Sequence, residues 1–292
     1  MSAKNTHKPV VAICYDFDGT LSPKNMQEYN FIPSLSIPPQ KFWEDAKDLA
    51  KKNGADPILS YMKLMLDKTI GTDICITRES FTAQGASVEL FDGVPEWFDL
   101  VGGYGKEKGL QIEHYIISSG IKEMIEGTIL HKKKVFKEIY ACSYLYDKHG
   151  VATWPANVVN YTTKTQYLFR INKGIEDISD NESVNEFVPE QERRVPFSRM
   201  IYLGDGSTDI PCMKLVKNQG GQSIAVYNAK TRGNKAAALR LLHDGRVNFV
   251  APADYRDGSE IHTYVKLALD KIAAAYEMYK MQTPLEKRNT PE

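Results

Sequence analysis

Short apolar runs rich in Val, Ile, Tyr and Phe recur along the chain, each bounded by Gly, Asp or Ser. They are PVVAICYDF (9–17), IEHYIISS (112–119), RMIYLGD (199–205), QSIAVYN (222–228) and VNFVAPAD (247–254). Few positions in them are polar, so both faces are expected to be buried, which fits parallel strands better than half-exposed antiparallel ones. Helical patterns separate most of them: GIKEMIEGTILHKKKVFKEI (120–139), STDIPCMKLVKN (207–218) and EIHTYVKLALDKIAAAYEMYKM (260–281). This alternation predicts a doubly wound α/β parallel sheet, whose ligands bind beyond the carboxyl ends of the strands.

One segment breaks the alternation. Residues 24–90 hold no buried strand and carry amphipathic stretches, KFWEDAKDLAKK (41–52) and PILSYMKLMLDKTI (57–70), so they read as a mainly helical insertion. It is either a lid over the end of the first strand or a separate helical domain, and the position of both junctions near one sheet end favours the lid. The core is then discontinuous, 1–23 with 91–282, followed by a polar tail at 283–292. EIYACSYLYDKHGVATWPAN (138–157) alternates around DKHG and reads as a hairpin. The polar, acid-rich stretch 173–198 reads as a surface loop.

Charge alters this picture only by exclusion. Lys and Arg number 37, as do Asp and Glu, so a chain of 292 residues has zero formal charge and no electrostatic footprint for nucleic acid or an anionic membrane. A small molecule is the expected partner, and the neutral composition leaves the oligomeric state open. Cys14, Cys75, Cys142 and Cys212 form no paired motif, so reduced thiols are expected. No apolar segment precedes the first strand and none is long enough to span a membrane, which makes the cytoplasm the expected location.

Polar residues collect at the strand ends. The first strand ends in Asp16 and Asp18, followed by Gly19 and Thr20; the second ends in Ser118, Ser119 and Gly120; the third ends in GDGSTD, with Asp205 and Asp209. In a parallel sheet these gather at one edge, and Lys164, at the start of a helix, can reach them. Four carboxylates cannot all stay ionised at close range without a cation, and an all-oxygen set without His or Cys suits Mg²⁺. Exposed glycine amides, Ser118 and Lys164 supply groups that hold a phosphoryl oxygen. In a D-x-D pair next to such an ion, Asp16 can act as nucleophile and Asp18 as general acid and base.

DFDGT at 16–20, Ser118 after an apolar strand, Lys164 and GDGSTD at 204–209, in that order, resemble the four motifs of the haloacid dehalogenase superfamily. The resemblance spans residues 9–255 apart from the insertion, which stands where many members place a helical cap. It implies a Rossmann-like core and an aspartyl-phosphate on Asp16, with Asp18 protonating the leaving oxygen and then activating water. It also implies Mg²⁺ held by Asp16, the Asp18 carbonyl and Asp205 with support from Asp209, and phosphate held by Ser118 and Lys164. Gly19, Thr20, Ser119 and Gly120 complete the expected phosphate set. Asp18 aligns the chain with phosphatases and mutases and against carbon–halogen chemistry. DGVPEWFDLV (92–101), IISSGI and the hairpin are similar to the phosphoserine-phosphatase-like branch, from which Ser118-Ser119-Gly120 and the long loop 173–198 depart.

The expected activity is Mg²⁺-dependent hydrolysis of a small phosphomonoester. A phosphomutase or phosphotransferase would need the same residues, and a non-catalytic phosphate-binding protein is the alternative from another class. Lys173 or Lys134 are the substitutes for Lys164. FDGV (91–94) reads as a turn and helix start, GYGKEKG (103–109) as a helix stop, and HKKKVFK (131–137) as a solvated helix face.

Overall fold

The computed structural model describes residues 8–286. The apolar run at the start of the chain forms β1 (Val10–Tyr15), with Val11 to Tyr15 fully buried at the centre of a seven-stranded sheet. The other strands are β2 (Gln111–Ile121), β3 (Glu138–Tyr146), β4 (Ala152–Asn157), β5 (Met200–Gly204), β6 (Gln222–Tyr227) and β7 (Phe249–Pro252). Their order is β4-β3-β2-β1-β5-β6-β7. All pairings are parallel except β3 with β4, the hairpin expected around DKHG, where the Asp147 carboxylate accepts the N–H groups of His149 and Val151. Chain order reverses across β1, which pairs Ile13 with His114 on one side and with Ile201 on the other. The crevice between the ends of β1 and β5 is therefore the switch point of a doubly wound sheet.

Between β1 and β2 the chain leaves the sheet through helices Pro39–Asn53, Pro57–Thr69 and Arg78–Gly85. The second shows why helices form here: Asp56 caps it by accepting from Ile58 and Leu59, and Pro57 occupies the first turn, where no N–H is needed. The third helix packs on the core helix Lys122–Glu126. There Thr82 O would lie 1.9 Å from any Cβ placed on Gly127, so the two backbones touch.

That contact explains a correction. Residues 120–139 do not form one helix: β2 runs to Ile121, helix Lys122–Glu126 stops at Gly127, helix Ile129–Lys132 follows, and β3 begins at Glu138. Close packing at Gly127 and a positive φ of 55° at Lys134 break the pattern that the spacing of KVFKEI suggested. FDGV does start a helix, Val94–Glu107, whose last turn contains Tyr104–Glu107 of the glycine-rich stretch.

The loop 173–198 is ordered from within. Arg170, 1% exposed, donates to the carbonyls of Asp177 (2.7 Å), Ile178 (3.0 Å) and Asp180 (3.0 Å) and to Asn181 Oδ1 (3.1 Å). Helix Glu260–Glu286 closes the chain, and residues 287–292 of the expected tail lie outside the described residues, as do residues 1–7. All four cysteines are free thiols. Among the described residues no helix is long and apolar enough to cross a membrane.

Candidate active site

A cavity of about 510 Å³ opens at the carboxyl edge of the sheet, where β1, β2 and β5 end. Asp16, Asp18, Ser118, Ser119, Gly120 and Asp205 line its sheet side, while Gln27, Glu28, Trp43, Ile58 and Tyr61 close it from the insertion. Asp16, Asp18, Gly19, Ser118, Ser119, Gly120 and Asp205 of the strand-end set thus meet beneath the helical segment, while Thr20 and Asp209 do not line the cavity.

Asp16 continues β1, its N–H donating to Leu203 O at 2.9 Å. One carboxylate oxygen accepts from the Phe17 N–H at 2.8 Å and lies 3.1 Å from Lys164 Nζ. Lys164 belongs to helix Thr163–Lys173, is fully buried, and donates to Asp209 Oδ1 at 2.7 Å. The same Asp209 oxygen accepts from the Tyr202 hydroxyl at 2.8 Å, and its other oxygen accepts from the Gly206 N–H at 3.2 Å. Lys173 instead donates to the carbonyls of Val184 and Glu186, and Lys134 is exposed, so neither reaches the site.

Asp18 turns away from this group: its carboxylate accepts from the Met26 N–H at 2.9 Å. Gly19 follows with φ +77°, and a Cβ there would lie 2.2 Å from Asp205 Oδ2, so the turn tolerates only glycine. Its N–H is engaged with Ser22 O at 2.8 Å. Thr20 is fully buried, its carbonyl accepts from the Tyr255 hydroxyl at 2.8 Å, and it does not line the cavity. Ser118 Oγ accepts from the Gly120 N–H at 3.0 Å, which leaves the hydroxyl proton available to a ligand. Ser119 lines the cavity, and its Oγ has no partner among the described residues. Its carbonyl accepts from the Tyr61 hydroxyl at 2.5 Å.

Packing these acids together shifts their protonation. Burial, and then the charge of Asp209, push Asp16 up to about 7 despite Lys164. Burial and Asp16 raise Asp18, and burial with Asp209 and Asp16 raises Asp205. For Lys164 burial opposes the charge, but Asp16 and Asp209 outweigh it and hold its pKa above the ordinary value. Asp16, Asp205 and Asp209 offer carboxylate oxygens that all lie within 4.8 Å of one another. Such an excess of negative charge, with no imidazole or thiolate in the set, fits a hard divalent cation. Both Asp209 oxygens already accept hydrogen bonds, so Asp16 and Asp205 are the carboxylates left to ligate.

Several site residues carried no readable signal. Tyr202 lies inside an apolar strand run, Asn228 and Thr231 follow β6 with no distinctive composition, and Asn234 opens the helix Asn234–His243; Thr208, by contrast, lies within GDGSTD. Trp43, in the helix Pro39–Asn53, reaches the cavity from the insertion, its Nε1 donating to Glu28 Oε1 at 2.7 Å.

No family model matches the chain. An uncharacterized protein of Borreliella burgdorferi is 28% identical over 287 residues, covering 89% of this chain and 97% of that protein. Among solved structures, a HAD family hydrolase from Salmonella enterica serovar Typhi aligns with a TM-score of 0.55 at 15% identity, over 88% of this chain and 70% of the other. A probable phosphoserine phosphatase from Vibrio cholerae aligns with a TM-score of 0.56 at 13% identity, over 92% and 67%. The chain has the fold of the haloacid dehalogenase hydrolases. That is the fold implied by DFDGT, Ser118, Lys164 and GDGSTD, and a helical segment follows the first strand as expected.

Proposed function

We propose that the chain is a phosphatase of the haloacid dehalogenase superfamily, in its phosphoserine-phosphatase-like branch, hydrolysing a small phosphomonoester with Mg²⁺. The observation that carries this reading is the pair Asp16 and Asp18 on one cavity wall, the first backed by a buried lysine and the second held by a backbone N–H. An Asp16 carboxylate oxygen attacks phosphorus as the ester P–O bond breaks, and the protonated Asp18 gives its proton to the departing oxygen. Water then attacks the phosphorus; Asp18, now ionised, accepts the water proton, the bond to Asp16 breaks, and inorganic phosphate leaves.

The raised pKa of Asp18 supports its protonated state in the first step. Lys164 supplies the positive charge that keeps Asp16 ionised and oriented, while the Ser118 and Ser119 hydroxyls are available to donate to phosphoryl oxygens. Asp16 and Asp205, with Asp209 holding Lys164 behind them, would carry Mg²⁺, which when bound neutralises charge on the phosphoryl group. Residues 24–90 serve as the cap over the core, 1–23 and 91–282, and the cavity volume of about 510 Å³ suits a metabolite rather than a macromolecule.

The test is an acid quench of the Asp18→Asn variant incubated with a phosphomonoester panel and Mg²⁺. Phosphate recovered covalently on Asp16 is expected from aryl phosphates, whose leaving group is acidic enough to depart without the proton of Asp18, because the variant then lacks only the base that the second step needs. No covalent phosphate on any wild-type or variant sample would overturn the reading, and phosphate passed to an acceptor alcohol would redirect it to a phosphotransferase.

A further inference from the structure

A second cavity, about 720 Å³, lies at the opposite edge of the sheet, beside Val10, Arg199 and Gly220 near the amino ends of β1, β5 and β6. The loop 173–198, left without a role by the proposed chemistry, builds one wall through Glu190, Arg194, Pro196 and Ser198. The closing helix builds the other through Lys271, Tyr276 and Tyr279.

The wall is unevenly charged. Lys8, Arg194, Arg199 and Lys271 face Glu190, the one carboxylate among its described residues. Arg194 is answered by Glu113, to which it donates while also contacting the Tyr115 hydroxyl at 3.2 Å. Arg199 has no carboxylate partner among the described residues; its one described hydrogen bond runs to Arg194 O at 3.3 Å. Burial lowers its pKa, the mark of a cation losing water without gaining a counter-ion, and the phenols of Tyr276 and Tyr279 are its neighbours. A partly desolvated guanidinium beside two aromatic rings is suited to bind an anion and a flat apolar body together.

We propose that this cavity is a second binding site, distinct from the candidate active site, for a small aromatic anion whose negative group pairs with Arg199 and whose ring lies against Tyr276 and Tyr279. The loop 173–198 is then the element that shapes the site, its conformation held by the buried Arg170. The site stands on residues none of which touches the carboxylate cluster at the other sheet edge, so it is separable from the chemistry.

Fluorescence titration of the full chain with anilinonaphthalene sulfonate, an aromatic anion that carries no phosphoester, tests this. Saturable binding of one probe per chain is expected, with Arg199→Gln weakening it about tenfold, the effect of losing one charge-assisted hydrogen bond. Lys271→Gln, on the exposed side of the wall, is expected to weaken it about threefold and serves if Arg199→Gln fails to fold. Asp16→Asn should bind the probe as the wild type does. Unchanged affinity in both basic-residue variants, or displacement of the probe by Mg²⁺ with inorganic phosphate, would overturn the proposal.

Discussion

The Met26 N–H donates to the Asp18 carboxylate at 2.9 Å. The same residue inserts its thioether against Gly120, and its sulfur accepts the Ile121 N–H at 3.2 Å. The first turn of the insertion therefore positions the proposed proton carrier relative to the Ser118–Gly120 segment.

Gly120→Ala probes that arrangement. A Cβ at Gly120 would lie 2.2 Å from Met26 Cε and 3.0 Å from Asp18 Oδ2, and a methionine end can swing aside. The variant is expected to fold, with a melting temperature within about 5 °C of wild type, yet to lose about tenfold or more in kcat because Asp18 is displaced. Calorimetry and phosphate release on the same sample check both halves.

Lys164 lies between two carboxylates, 3.1 Å from Asp16 and 2.7 Å from Asp209. Lys164→Met leaves both without their cation and is expected to cost about 3–5 kcal/mol of stability in metal-free buffer at neutral pH, along with the activity. Lys173→Met, which removes only contacts to the carbonyls of Val184 and Glu186, should leave turnover unchanged. Urea denaturation and phosphate release compare the two.

His114 gives a pH dependence with a defined sign. Burial lowers its pKa from 6.5 to about 3, and because Tyr15 accepts from Trp97 Nε1 at 2.8 Å, its hydroxyl donates to His114 Nδ1 at 3.0 Å. The folded state needs the neutral ring, so this contribution is fully present above 6.5 and is lost as pH falls from 6.5 toward 3. Between pH 7 and 5 wild type is expected to lose about 2 kcal/mol more than His114→Asn, which keeps an acceptor for Tyr15 but cannot titrate. Urea midpoints at the two pH values measure this.

Much of this architecture was legible because the physics behind it is local. Doubly buried strands need unbroken apolar runs, and although Asp and Gly are favoured in the turns that follow a strand, carboxylates at two strand ends of one parallel sheet edge must meet, so Asp16, Asp18 and Asp205 stood out together. What was hidden depends on contacts distant in sequence. Nothing around Gly127 announces the backbone of Thr82 against it, so the helix pattern of 120–139 read straight through a break. Tyr202 reads as one more apolar strand residue, although its hydroxyl holds Asp209. Arg170 carries no signal in the sequence, although its guanidinium holds the carbonyls of the loop 173–198.

Asp205 tests the cation site without touching Lys164. Its pKa is raised by burial, Asp209 and Asp16, so its contribution to stability is present below its ordinary 3.8 and lost as pH rises through the folded value. At pH 8 without metal, Asp205→Asn is expected to be more stable than wild type by on the order of 1 kcal/mol. Millimolar Mg²⁺ should raise the melting temperature of wild type and leave the variant unmoved. Thermal denaturation with and without Mg²⁺ reads out both effects.

Phosphate release from a panel of phosphorylated metabolites with Mg²⁺, run on wild type and Asp16→Asn side by side, bears on the nucleophile itself. Wild type is expected to turn over at least one member of the panel, and the variant to fall by at least about a thousandfold on the same compound while retaining its fold. Equal turnover by the two proteins, or none by wild type on any member, would contradict Asp16 as the group that takes the phosphate.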